Sequence, residues 1–76
     1  MSQGFGNRLN ELRGEHALTQ AALAAMVGVS RKTINTVENG VFIPSTVLAL
    51  KLSRVLEIPV EEIFSLEDEE AEEGGG

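Results

Sequence analysis

Apolar residues fall along this chain in short clusters, each spaced for one face of a helix. Leu9 and Leu12 share a face, with Phe5 and Arg13 beside it. Leu23 and Val27 are one helical turn apart, and Ile34 and Val37 repeat that relation after a short polar interval. Leu48, Leu52, Val55 and Leu56 recur at i, i+4, i+7 and i+8, and Val60, Ile63 and Phe64 form a last cluster. No window alternates apolar and polar residues for long enough to predict a strand. The pattern predicts an all-α chain of five helices.

Polar residues and glycines punctuate these clusters. Asn7 is placed to cap a first helix that runs to about His16. Thr19 is placed to cap a second, whose Ala21, Ala22, Ala24 and Ala25 favour helix, and which ends near Met26 or Val27. Gly28 follows where a tight turn needs a positive φ. Ser30 caps a third helix, about 30–38, and Asn39-Gly40 stops it. Ser45 caps a fourth, which ends before Pro59, and Pro59 starts a short fifth with Glu61 and Glu62 in its first turn. One folded domain is expected over residues 7–66, after a flexible 1–6 and before a disordered acidic tail, 67–76.

The middle of the chain is the most informative part. Two short helices, a three-residue turn around Gly28, and small Ala24 at the crossing make the layout of a helix-turn-helix. That device places one helix end in the DNA major groove. Arg31, Lys32, Thr33, Asn35 and Thr36 then share an outward face with no apolar member. Arg and Lys bridge guanine O6 and N7, Asn bridges adenine N6 and N7, and Thr serves either. A solvated helix face is equally polar, so polarity alone does not separate the readings. Polarity combined with the turn spacing favours the DNA-reading one.

Composition narrows the classes. A chain of 76 residues makes one domain, and 42% hydrophobic residues support a folded core. With no cysteine there is neither a disulfide nor a thiolate metal site, which agrees with a cytoplasmic protein. No secretory leader is visible, and the longest apolar run, Val47-Leu48-Ala49-Leu50, is too short to span a membrane. No Trp or Tyr offers a stacking platform for single-stranded nucleic acid. His16 is alone, without a second ligand at i+4, and no nucleophile–base pair stands out, so neither a metal, a cofactor nor an enzyme is expected. The net charge of −6 is uneven. Residues 1–56 hold six bases and three acids, while 57–76 hold nine acids and no base. Local charge governs contact with a polyanion, because salt screens beyond about 10 Å. The acidic run 67–73 reads first as a solubilising tail. A sharper reading makes it a tethered polyanion competing with DNA for the basic face.

Residues 8–64 resemble the Cro/C1-type (XRE-like) helix-turn-helix family. The resemblance rests on Leu18-Thr19-Gln20, Leu23-Ala24, Val27-Gly28-Val29-Ser30, Ile34, Glu38-Asn39-Gly40, Pro44-Ser45 and Glu61-Glu62-Ile63-Phe64. It implies a five-helix, lambda-repressor-like bundle and a transcriptional regulator that binds double-stranded DNA, with repressor as the expected sense. Gln20 then matches a residue that touches the DNA backbone and braces the recognition helix. Ser30 caps that helix or touches phosphate. Arg31, Lys32, Thr33 and Thr36 match base-reading positions, Asn35 lies at the groove edge, and Asn39 donates to phosphate. Arg13 and Glu38 match an ion pair joining the first and third helices. The partner implied is a palindromic operator bound by a homodimer. The excess of apolar residues near the end of the domain separately places Leu56, Ile63, Phe64 and Leu66 at the expected subunit contact. A protein partner is the alternative, in which the fold serves an antitoxin or adaptor. The chain departs from the family pattern at Thr46, Val47 and Glu57, and in the base-free loop Val41-Phe42-Ile43.

Overall fold

Side-chain caps decide where most of the helices begin. The computed structural model describes residues 6–66. Five helices run in the order α1 (Leu9–Glu15), α2 (Gln20–Val27), α3 (Arg31–Glu38), α4 (Thr46–Leu56) and α5 (Val60–Ile63). Thr19, Ser30 and Ser45 stand in extended conformation ahead of α2, α3 and α4, and their hydroxyls accept the N–H of Ala22, Thr33 and Leu48. Each such cap contributes about 1 kcal/mol by satisfying a donor that the helix itself leaves unpaired. α1 starts differently. Arg8 occupies the boundary without a side-chain cap, and Asn7, one residue earlier, accepts from the Leu9 N–H at 3.0 Å. Asn7 is held there because its Nδ2 also donates to the Val37 carbonyl of α3, at 3.0 Å.

The ends of the domain meet in a pairing that the sequence pattern did not predict. Gly6–Asn7 (β1) and Phe64–Ser65 (β2) run antiparallel, with Gly6 opposite Ser65 and Asn7 opposite Phe64. The Arg8 N–H adds a bond to the Ile63 carbonyl at 2.8 Å. Strands of two residues are too short for alternation to register. Gly6, grouped by sequence with a flexible start, is paired here. The rest of that start, 1–5, and the expected disordered tail, 67–76, lie outside the described residues.

The core takes Leu9 and Leu12 from α1, Leu23, Ala24 and Val27 from α2, Ile34 and Val37 from α3, Leu48, Leu52 and Leu56 from α4, and Ile63 and Phe64 from the end. Full burial of each large aliphatic side chain contributes about 1.5–3 kcal/mol. One expectation is corrected. Leu56, Ile63 and Phe64 keep only 1%, 1% and 8% of their surface exposed, inside this subunit's own core. Of the four residues assigned to a subunit contact, only Leu66, 80% exposed, faces outward. The apolar excess near the end is needed at home, because α5 and β2 close the bundle beside α4. α4 instead leaves Val47 and Leu50 exposed on its far side.

Among the described residues, two other than glycine adopt the left-handed region, Ala17 (φ 57°) after α1 and Glu57 (φ 62°) at the end of α4. Both are exposed. An L residue there costs about 1–2 kcal/mol, and glycine returns about 0.5–1 kcal/mol of that through its greater freedom when unfolded. Ala17→Gly and Glu57→Gly are each expected to stabilise the domain by about 0.5–1 kcal/mol. A higher urea midpoint at unchanged slope is the expected reading. A lower midpoint would show that the side chain, and not the backbone, matters at that position.

Candidate nucleic-acid interface

The turn between α2 and α3 fixes their relative position. Gly28 ends α2 at φ 79°, and its N–H and that of Val29 both return to the Ala24 carbonyl. A Cβ on Gly28 would meet only Lys51 Nζ, at 3.9 Å, so the positive φ and not lack of space selects glycine. Val29 packs against the core, and Ser30 then caps α3. Ile34 and Val37 are the buried side of α3, which turns Arg31, Lys32, Thr33, Asn35 and Thr36 away from the core.

The polar residues of α3 divide into tied and untied. Ser30 Oγ lies 3.0 Å from Thr33 Oγ1, within the cap. Thr36 Oγ1 donates to the Thr33 carbonyl at 2.9 Å. Asn39 Nδ2 donates to Asn35 Oδ1 at 3.2 Å, one turn along. Arg31 and Lys32 are exposed and make no ion pair among the described residues. The tip of α3 therefore offers two cations beside a pre-set array of hydroxyls and amides. The following loop is pinned to the same helix, since Val41 and Phe42 donate their N–H groups to the Thr36 carbonyl. Val41, Phe42 and Ile43 are all exposed there.

The opposite end of α3 is held by one carboxylate. Arg13 Nε donates to Glu38 Oε2 at 2.6 Å, and its Nη2 donates to Oε1 at 3.3 Å. Gln20 Nε2 from α2 donates to Oε1 at 3.0 Å, and Asn10 Nδ2 from α1 donates to the same oxygen at 3.1 Å. Arg13 Nη1 also binds the Leu18 carbonyl at 2.8 Å. The Glu38 side chain is only 4% exposed and that of Arg13 17%. Burial alone would push the Glu38 carboxyl up, but the donors Arg13, Gln20 and Asn10 outweigh it and hold the group below its ordinary value of 4.5. Gln20 thus ties the start of α2 to the end of α3. Asn10 was missed, although it lies three residues before Arg13 on the same face of α1.

Both ends of α3 are charged against its dipole. Arg31 and Lys32 stand at the positive end and Glu38 at the negative end. Each such placement disfavours a helix by about 0.3–1 kcal/mol when exposed. Arg13 compensates Glu38, whereas no described carboxylate compensates Arg31 or Lys32. The tip thus sets two cations beside the positive end of the helix dipole, where an anion would be stabilised. No three His, Asp or Glu residues among those described are grouped to hold a metal ion. His16 is exposed, and its Nδ1 lies 3.1 Å from the Leu12 carbonyl at the end of α1. No helix among the described residues is long and apolar enough to cross a membrane.

Comparison with known proteins finds the same architecture. The family model described as helix-turn-helix matches residues 9–63. The uncharacterized HTH-type transcriptional regulator MJ0272 of Methanocaldococcus jannaschii is 44% identical over 64 residues, covering 84% of this chain and 97% of the relative. The uncharacterized HTH-type transcriptional regulator YgzD of Bacillus subtilis is 38% identical over 63 residues, covering 83% and 96%. Among solved structures, the restriction-modification controller protein C.AhdI of Aeromonas hydrophila superposes with a TM-score of 0.68 at 40% identity, over 72% of this chain and 83% of that one. The P22 c2 repressor, solved with a synthetic operator, gives 0.69 at 33% identity, over 71% and 82%.

The carboxylate junction can be tested by pH. A carboxyl held low in the folded state stabilises fully above its ordinary value, and that contribution is lost as pH falls through the folded value. Glu38→Gln removes a buried charge and strands Arg13, so it is expected to cost about 3 kcal/mol at neutral pH. The gap between wild type and variant should narrow as pH drops below 4.5, where Glu38 of the unfolded chain takes up a proton before the folded carboxyl does. Urea unfolding at a series of pH values measures it. A gap independent of pH would show that shape, not charge, holds the junction.

Proposed function

We propose that this chain, which belongs to the Cro/C1-type helix-turn-helix family, is a DNA-binding transcriptional regulator that reads the major groove with the N-terminal half of α3. The observation that carries this reading is the exposed Arg31–Lys32 tip, without an ion pair among the described residues, on a helix anchored at its other end. Arg31 and Lys32 face base edges or phosphates. Thr33 and Thr36 supply hydroxyls on the same side, Asn35 lies at the groove edge, and Asn39 donates to phosphate. Ser30 and Gln20 lie beside the backbone of the duplex. The likeness to a repressor solved with its operator supports a repressor. The reading makes the protein a binder and not an enzyme, at work in the cytoplasm.

A single domain of this size presents few phosphate contacts, so we infer a homodimer on a palindromic site. Its half-sites lie about 34 Å apart, one helical turn, if both tips enter the same face of the duplex. A second reading, a protein-binding module, is favoured by the apolar side of α4, where Val47 and Leu50 are 61% and 58% exposed. A structure similar to this one, solved as a complex of SinR with SinI, is 28% identical and superposes with a TM-score of 0.68, over 87% of this chain and 62% of that one.

Duplex binding of point variants separates the two. Arg31→Ala and Lys32→Ala are each expected to weaken binding by about 1–3 kcal/mol where the side chain meets a base. A lost phosphate contact should instead flatten the dependence of log K on log salt by about 0.9. Both residues are exposed, make no ion pair among the described residues and oppose the α3 dipole, so stability should stay unchanged or rise by up to about 1 kcal/mol. Unchanged affinity in both variants overturns the assignment of α3. A wild-type chain without salt-dependent affinity for any duplex favours the protein-binding reading.

A further inference from the structure

The basic residues of the described domain fall into two groups. Arg8 pairs with Glu11 at 3.3 Å and reaches Glu62 at 3.8 Å, and Arg13 pairs with Glu38. The other four, Arg31, Lys32, Lys51 and Arg54, have no carboxylate partner among the described residues. They gather around the α2–α3 turn. Lys51 Nζ approaches Gly28, and Gly28, Lys51 and Arg54 line one shallow depression with Met26. Arg31 and Lys32 follow that turn directly. The acids missing from this corner are abundant just past the described domain. Residues 67–73 read Glu-Asp-Glu-Glu-Ala-Glu-Glu, six carboxylates in seven positions.

Geometry brings the two within reach. β2 is hydrogen-bonded beside Asn7, and Asn7 is bonded to Val37 in the last turn of α3. The chain therefore leaves the domain next to one end of α3, while the cations stand at the other. α3 has eight residues, a length of about 12 Å. Seven extended residues reach about 25 Å. We propose that the segment Glu67–Glu73 of this same chain occupies the cationic corner of Arg31, Lys32, Lys51 and Arg54 in the free protein, and that a duplex must displace it. This rests on the DNA-binding reading above for the displacement, but not for the contact itself.

The segment would act as a tethered competitor. Held at high effective concentration, it weakens a contact made with any polyanion and discriminates against those that engage few cations. It also alters salt dependence. A duplex that binds releases its condensed counterions, whereas the expelled acidic segment takes cations back from solution. The wild-type chain should therefore show a shallower salt slope than a chain whose segment is neutral.

The test uses the whole chain and a variant carrying Glu67→Gln, Asp68→Asn, Glu69→Gln, Glu70→Gln, Glu72→Gln and Glu73→Gln. Zero-length carbodiimide coupling of the wild type at low salt, mapped by mass spectrometry, should join Lys32 or Lys51 to a carboxylate of 67–73 within one molecule, and added duplex should suppress it. The neutral variant should bind duplex about tenfold more tightly at low salt, with a steeper salt slope and a difference that fades at high salt. Absence of the intramolecular link overturns the contact. A link that forms while both chains bind duplex equally, with equal slopes, overturns the competition. If neither chain binds duplex and the link still forms, the contact stands and the DNA-binding reading fails.

Discussion

The position of α3 depends on one buried carboxylate. Glu38 receives donors from Asn10 and Arg13 of α1 and from Gln20 of α2, so three helices converge on two oxygen atoms. The helix needs that support. Four of its eight residues, Thr33, Ile34, Thr36 and Val37, are β-branched and lose rotamer freedom in a helix. Its cations and its anion both oppose its dipole. A segment of this length and composition is not a stable helix by itself. It is helical because Ser30 caps it, because Ile34 and Val37 are buried, and because Glu38 is locked. A rigid anchor at one end leaves the other free to carry side chains chosen for something other than stability.

Much of this was legible in the sequence, for identifiable reasons. A hydroxyl cap needs only a Ser or Thr just ahead of an apolar period, so Thr19, Ser30 and Ser45 gave the starts of three helices. Gly28 and Gly40 take the left-handed backbone that their places after α2 and α3 suggested. The Arg13–Glu38 pair came from the family resemblance, since 25 residues separate the partners and no local spacing links them. What stayed hidden was long-range or small. The β1–β2 pairing closes the domain with two residues a side. Asn10 joins the junction from a position that reads as ordinary solvent-facing helix. Ala17 and Glu57 hold a backbone that their side chains give no hint of.

The burial of Leu56, Ile63 and Phe64 shows how a count of apolar residues misleads in a small domain. Apolar excess at a terminus reads as surface available to another subunit. In a short bundle there is little core to share, and each large side chain near the end is needed to close it. α5 is a single turn, and it survives because Ile63 and the adjoining β2 pairing anchor it. The large apolar side chains left exposed lie elsewhere, among them Leu66 at the end of the described residues and Val47 and Leu50 on α4. These are exposed without being required at home, which is the physical condition for an interface residue.

The overall charge of −6 and the local charge of the α2–α3 corner pull in opposite directions, and distance decides between them. At physiological salt an exposed charge is felt over about 8 Å, less than the length of α3. A phosphate approaching Arg31 and Lys32 therefore meets those two cations and the N-terminus of α3 before it meets the average of the molecule. The same distance argument gives the acidic residues beyond Leu66 any influence they have. Spread through solvent they are screened and nearly silent; close to the corner they are strong. Net charge alone thus says little about affinity for a polyanion in this chain. The separation between one short segment and the four cations that have no carboxylate partner among the described residues says far more.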